Sequence, residues 1–269
     1  MSSKGIYTAL SGAMAQSQRL DTIANNIANT NTASFKKDKQ TFYEYLTAAE
    51  KNPDSIQTTK VPASIESFYE LNGADRGFVD SSGTYTDFTQ GQLKPTGNKL
   101  DVALQGKGFF EILTPNGPRL TRNGQFQVDA NGRLVTRQGY PVLSEGTGDP
   151  QQRTIQLNSN NVTVSYSGEI YEGNDLAAKF ALLNVVNPES LKKSGQSFYD
   201  YKENMNPILQ AADEVQTKQG FVEASNVNIV TEMTDMINAT RTFESTQKAI
   251  KAFDQINQKL AIDVPKTSY

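Results

Sequence analysis

Residues 3–28 read SKGIYTALSGAMAQSQRLDTIANNIA, and their spacing decides what the chain is built from. Ile6, Leu10, Ala13, Ser17, Leu20, Ala24 and Ile27 alternate steps of four and three, which lays them along one narrow seam of a helix. At a rise of about 1.5 Å per residue this helix is about 39 Å long. Its seam is thin and Ala-rich, and Gly5 and Gly12 each cost about 1 kcal/mol against Ala. Such a helix is marginal alone and needs a partner.

Residues 229–260 supply one. Ile229, Met233, Met236, Thr240, Phe243, Gln247, Ile250, Phe253 and Leu260 mark a second seam, on a helix about 48 Å long. Ser225, Asn226 and Asn228 are candidate caps just before it. The outer face mixes Glu232, Asp235, Arg241, Glu244, Lys248 and Lys251, with Glu244 and Lys248 in the favourable i,i+4 order. Pro265 stops any continuation.

Between the helices the pattern changes to turns and short alternating segments. Asn116-Gly117, Asn123-Gly124 and Asn131-Gly132 are candidate tight turns. Leu100 to Leu104 and Phe109 to Leu113 read as strands flanking a Gly106-Lys-Gly108 break, with further strands around 153–157, 162–166 and 179–186. The expected fold class is α+β: long N- and C-terminal helices packing as a coiled-coil-like helical domain, with a mainly antiparallel β domain inserted between them. The expected segments are an N-terminal helical assembly segment (1–32), an extended connector with weak β character (33–95), a β-rich outer domain (96–220) and a C-terminal helical assembly segment (221–269).

Composition excludes several chemistries. The 269 residues include no His and no Cys, so there is no imidazole base, no thiolate nucleophile and no ordinary zinc or iron–sulfur site. A net charge of −3 lacks the concentrated basic character of a nucleic-acid binder. No cofactor, metal or small-molecule substrate is expected, and the chain reads as a non-enzyme. Ala13-Met14-Ala15 has the form of a cleavage site, but the seam runs in phase straight across it, so the segment reads as a retained helix rather than a signal peptide. No window approaches a membrane span.

Individual motifs yield bland readings. Gly106-x-Gly108 lacks the third glycine and the following helix of a dinucleotide site. Asp129-Ala-Asn131-Gly132 lacks the distant bidentate Glu of a calcium loop and reads as a hairpin turn. Asn161-Val-Thr163 and Asn238-Ala-Thr240 match the glycosylation sequon by chance. Lys36-Lys37-Asp38-Lys39 reads as a solvated basic cluster after the first helix. Glu169, Glu172 and Asp175 are the nearest candidates for the carboxylate pair of a hydrolase, and read as lining a loop.

The seams leave two readings: a helical hairpin closing one monomer, or faces meant for other copies. Neither helix has the wide apolar face of a soluble monomer, and Asn25, Asn26, Asn29 and Asn31 crowd the end of the first with donors and acceptors suited to packing between chains. Assembly is favoured. The expected interface is Ile6, Leu10, Ala13, Leu20, Asn25, Asn26, Ile27 and Asn29 on the first helix, with Ile229, Met233, Met236, Phe243, Ile250 and Phe253 on the second. The rival reading from another class is a monomeric secreted binding module whose β domain grips a glycan or protein.

Three stretches, in order, resemble the bacterial flagellar basal-body rod proteins. They are Gly5 to Ala13 with Asn25-Asn-Ile-Ala-Asn-Thr-Asn31; Leu100-Asp-Val-Ala-Leu-Gln-Gly-Lys-Gly-Phe-Phe110 with Leu120-Thr-Arg-Asn-Gly124 and Asn131-Gly-Arg-Leu134; and Gly220-Phe-Val-Glu-Ala-Ser-Asn-Val-Asn228 with Met233, Met236-Ile237, Arg241, Phe243-Glu244 and Lys248. Within the family, Gln125 to Asp129, Pro141-Val142 and Thr234 to Ile237 are closer to the proximal-rod branch than to the distal. Where the family usually has Gly or Pro before the aromatic, this chain has Ser34 before Phe35. The resemblance implies a structural, torque-transmitting subunit whose terminal helices pack as an inner tube with the β domain outward. Its implied partners are copies of itself, neighbouring rod subunits, the flagellar type III export apparatus and the surrounding rings. The implied location is the basal-body rod spanning the periplasm, reached without a cleavable signal.

Overall fold

The computed structural model describes residues 4–46, 77–159, 161–195, 197–202, 209–212 and 214–263. Much of the expected connector (47–76) and the expected stop at Pro265 lie outside the described residues. The chain forms two compact units. One comprises Met1–Asn25, Asp38–Tyr85 and Val230–Tyr269; the other comprises Asn26–Lys37 and Thr86–Ile229.

The first unit holds most of two helices, α1 (Lys4–Ala28) and α2 (Ile229–Asp263), and a two-stranded sheet of β1 (Asp38–Leu46) and β2 (Gly77–Thr86). In α2 the hydroxyls of Thr234, Thr240, Thr242 and Thr246 each donate to the carbonyl four residues earlier. This lets β-branched, polar residues sit inside a long helix. The coiled-coil-like pairing expected of the two helices is not there. Leu10, Ile229, Met233 and Phe253 of the expected seams are exposed. The fold is therefore two terminal helices and a large β-rich unit with a curled sheet, not a coiled-coil domain carrying an insertion. The physical reason is the thinness noted in the seams: Ser17, Ala24, Thr240 and Gln247 offer too little apolar area to zip two helices together.

The second unit is built on a six-stranded antiparallel sheet in the order β13 (Leu191–Lys193), β14 (Phe198–Tyr201), β6 (Gly117–Thr121), β5 (Phe109–Thr114), β12 (Leu182–Val185), β15 (Leu209–Ala211). Its central strand is buried on both sides. Phe110 and Ile112 join a large core with Val102, Leu104, Phe126, Leu134, Val142, Ile155 and Phe180, while Phe109 joins a smaller one with Leu120, Val185, Leu191 and Tyr199. This is the period-2 alternation of a strand with apolar residues on both faces. Edge-to-face ring pairs, Phe110 with Phe126 at 5.1 Å and with Phe180 at 5.2 Å, fix the large core.

Smaller ladders close around it: β7 (Phe126–Val128) with β8 (Leu134–Thr136); β9 (Val162–Val164), β10 (Glu169–Glu172) and β11 (Asp175–Lys179); β4 (Val102–Gln105) with β16 (Gln216–Gln219); and β3 (Leu93–Pro95) with β17 (Phe221–Glu223). The last two pairings bring the segment before α2 back across the start of the β region. Of the three Asn-Gly sites, the first and third lie at the ends of the β5–β6 and β7–β8 hairpins. Asn123-Gly124 is instead a crossing point, where a Cβ on Gly124 would lie 1.7 Å from the Val102 carbonyl oxygen.

Candidate assembly interface

The burial of the two helices follows one rule. Along α1 the shielded residues include Ile6, Ala9, Ala13, Ala15, Gln16, Leu20, Ile23, Asn26 and Ile27; along α2 they include Glu232, Met236, Ala239, Phe243, Thr246 and Ile250. The seven-residue column of each expected seam (6, 13, 20, 27 and 236, 243, 250) lies on that shielded face. On α1 the companion column lies three residues after it, not four; on α2 Ala239 is buried and Thr240, four residues after Met236, is half-buried as well. Leu10, Ser17 and Ala24, and likewise Met233, are exposed.

What the shift leaves in water is a second apolar stripe on each helix. Tyr7, Leu10 and Met14 are 46% to 60% exposed, and Val230, Met233 and Ile237 are 48% to 70% exposed. Each set has i, i+3, i+7 spacing and so shares one helix face. Of the other expected interface residues, Asn26 is buried; Ile6, Leu20, Ile27, Asn29, Met236, Phe243 and Ile250 are half-buried; and Asn25, Ile229 and Phe253 are exposed.

After α1 the chain enters a feature that the sequence reading missed. Ser34 takes a left-handed φ of 57°, the conformation for which glycine is the usual choice. Its amide donates to the Glu223 carbonyl (2.8 Å) and its hydroxyl to the Arg122 carbonyl (2.8 Å). The next residue but one, Lys36, was expected in a solvated cluster and is instead fully buried. Its Nζ lies 2.6 Å from Glu223 Oε1 and donates to the Thr89 carbonyl at 2.8 Å. Arg122 reaches the other carboxylate oxygen through Nε (3.0 Å) and donates through one terminal nitrogen to the Gly106 and Gly108 carbonyls. Glu223 Oε1 also accepts the Gly91 amide at 2.9 Å.

One carboxylate thus serves two buried cations. Burial pulls the Lys36 ammonium below its ordinary range, and the facing Glu223 carboxylate only partly restores it. Beside the ions, Asn226 accepts from the Lys37 amide and donates to the carbonyls of Asp87 and Thr89. Of the three candidate caps for α2, Asn226 is therefore spent on this knot, and Ser225 accepts from the Val227 amide. The signal in the sequence was present: Arg122 and Glu223 are charged residues inside strand-like motif segments.

Two of the three carboxylates weighed for hydrolysis, Glu169 and Glu172, are occupied locally. Glu169 accepts from the Tyr171 hydroxyl, and Glu172 accepts from the amides of Asn158 and Ser159. Asp129 accepts the amides of Asn131 and Arg133 and an Arg133 side-chain bond within its own turn.

Three family models match the chain: "Flagella basal body rod protein" over residues 6–36, "Flagellar hook protein FlgE/F/G D1 domain" over 103–172 and "Flagellar basal body rod FlgEFG protein C-terminal" over 218–263. The flagellar basal-body rod protein FlgG of Buchnera aphidicola subsp. Acyrthosiphon pisum is 31% identical, the match covering 95% of this chain and 98% of the relative. The rod protein FlgF of Mesorhizobium japonicum is 35% identical over 90% and 89%, and that of Caulobacter vibrioides is 34% identical over 90% of each. The chain belongs to the flagellar basal-body rod protein family.

Proposed function

We propose that the chain is a structural subunit of the bacterial flagellar basal-body rod, and that it polymerises through its terminal helices into the hollow axis that carries torque from motor to hook. Family membership supports the rod. The observation that carries the helices' role is the pair of apolar stripes, Tyr7–Leu10–Met14 and Val230–Met233–Ile237, left in water while the opposite face of each helix is shielded. In this reading 1–32 and 221–269 are assembly segments, 33–95 a connector and 96–220 the outer domain. Its partners are copies of itself, neighbouring rod subunits, the export apparatus and the surrounding rings, and it reaches the rod without signal cleavage. A place on the proximal side rests on Gln125 to Asp129, Pro141-Val142 and Thr234 to Ile237. Nothing favours the binding-module alternative or catalysis.

The test is recovery of the chain in the rod of purified basal bodies, with Leu10→Asp and Met233→Asp alongside. The proposal expects wild-type chain in the rod and both variants folded but excluded. Wild-type chain absent from basal bodies overturns the rod assignment; variants that enter normally overturn the stripes' role.

A further inference from the structure

An Asn-Gly pair is open to attack on itself, because glycine has no side chain to keep its amide nitrogen away from the asparagine carboxamide. Three such pairs lie among the described residues, at 116–117, 123–124 and 131–132; Asn72-Gly73 lies outside them. The reaction needs room, since the glycine nitrogen must swing onto the side-chain carbon and close a five-membered ring. The three described pairs differ in the room they have.

Asn131 is exposed, but the turn around it is pinned. Its own amide donates to Asp129 Oδ1 (2.8 Å), the Gly132 amide donates to the Asp129 carbonyl (3.0 Å), and the Gly132 carbonyl accepts from the Leu157 amide (2.6 Å). A Cβ on Gly132 would lie 2.8 Å from the Leu157 oxygen, so neighbouring backbone covers one side of the residue. Asn123 is pinned harder. Its Oδ1 accepts the Gln125 amide (3.1 Å), its own amide donates to Thr121 Oγ1 (3.1 Å), and Gly124 is buried against Val102, whose amide donates to the Gly124 carbonyl at 2.9 Å.

Asn116 has no such hold. It stands exposed at the tip of the β5–β6 hairpin, beside the equally exposed Pro115, and its side chain makes no hydrogen bond among the described residues. A Cβ on Gly117 would meet nothing within 4 Å. Gly117 pairs with Thr114 in the last rung of the ladder, and its carbonyl accepts the Thr114 hydroxyl at 2.7 Å. Opening that one rung frees the glycine nitrogen, and the end of a hairpin is where such opening costs least.

We propose that Asn116 is a site of self-modification, deamidated by the backbone of the following Gly117 while Asn123 and Asn131 are protected by the fold. The Gly117 nitrogen loses its proton to hydroxide and bonds to Asn116 Cγ; the Cγ–Nδ2 bond breaks, and Nδ2 takes up a proton and leaves as ammonia. Water then opens the succinimide. Attack at Cγ restores the ordinary backbone with an aspartate, and attack at the backbone carbonyl leaves an isoaspartate whose chain runs through Cγ. Either product carries a new carboxylate, one unit more negative than the chain's net charge of −3. The Asn116 side chain packs on no core residue, so the modified chain keeps the Phe110, Phe126 and Phe180 core and is marked by charge alone.

The test is incubation of the full-length chain in mildly alkaline buffer, native and in denaturing urea, followed by acidic digestion and peptide mapping by mass spectrometry. In the native chain the Asn116 peptide should convert to aspartate and isoaspartate forms at least about tenfold faster than the Asn123 and Asn131 peptides. In urea the three should convert at similar rates, which assigns the difference to the fold. Asn116→Ser should slow the build-up of the more acidic form seen by ion exchange, with circular dichroism unchanged. Native conversion of Asn123 or Asn131 as fast as that of Asn116 overturns the proposal. So does an Asn116 that stays intact in the native chain, or one that gives aspartate with no isoaspartate, since the ring yields both.

Discussion

Lys36 and Glu223 stand 187 residues apart in the chain and 2.6 Å apart in space, both sealed from solvent. That pair fixes the segment leaving α1 to the segment entering α2, and Arg122 holds both to the β region. The two cations on this one carboxylate are not equivalent, and their inequality is measurable.

Arg122→Met leaves Glu223 paired with Lys36 but strips the Gly106 and Gly108 carbonyls of their described side-chain donor, at a cost of about 1–3 kcal/mol for each buried group left unsatisfied. Lys36→Met leaves Glu223 on Arg122 and the Gly91 amide, and leaves Thr89 O with Asn226, so it costs less than about 1 kcal/mol. Urea unfolding of the two variants beside the wild type measures the difference. Equal costs would mean that the ions act only as packing.

One substitution has opposite effects at two glycines. Gly124→Ala drives a methyl to 1.7 Å from the Val102 oxygen, in backbone that cannot yield cheaply, and it abolishes soluble folding or lowers Tm steeply. Gly12→Ala meets nothing within 4 Å on α1 and stabilises the helix by about 1 kcal/mol. Thermal melts of the two variants give the signs.

The helices were legible in the sequence, but only to one column of residues. The seven-residue repeat through Ile6, Ala13, Leu20 and Ile27, and through Met236, Phe243 and Ile250, lies on the shielded face. The companions expected with it from the four-then-three spacing, Leu10, Ser17, Ala24 and Met233, are exposed instead. Burial falls instead on Ala9, Gln16, Ile23 and Glu232, a choice set by what packs against each helix and not by the apolarity of the column itself. Lys36 misled in the same way: a lysine within four charged or polar residues looks solvated unless its partner is known, and here the partner is 187 residues away. Asn123-Gly124 looked like a hairpin because the dipeptide suits one, while its glycine answers to a close approach of backbone from Val102 that no local pattern encodes.

Tyr201 gives the alkaline limit of the β unit. Burial, then Glu111 and Asp200, push its phenol up to about 12 from an ordinary 10.0. The unfolded chain therefore releases this proton first, and stability falls as pH climbs from about 10 towards 12. Tyr201→Phe removes that contribution. Its difference in stability from the wild type should be flat below pH 9 and should shift in the variant's favour above pH 10, read by urea midpoints across the range.

Phe110→Ala probes the core that carries the outer unit. Phe110 is fully buried against Phe126 and Phe180, and its loss costs about 3–5 kcal/mol. Phe243→Asp, half-buried on the shielded face of α2, should disturb the helical unit while leaving the β unit's circular dichroism in place. Loss of the β signal in Phe243→Asp would mean that the two units fold as one.

The central claim is that the exposed stripes are contacts between copies, and the absence of cysteine in the natural chain makes it directly measurable. Leu10→Cys and Met233→Cys, each carried alone by half of the subunits in one cell, place a single thiol on every chain. Mild oxidation of the purified basal bodies should then yield a Leu10→Cys–Met233→Cys disulfide between two chains, detectable by mass spectrometry. Rods that assemble with both variants yet give no disulfide joining these stripes to each other or to themselves, while control cysteines elsewhere on α1 and α2 do cross-link, would contradict it.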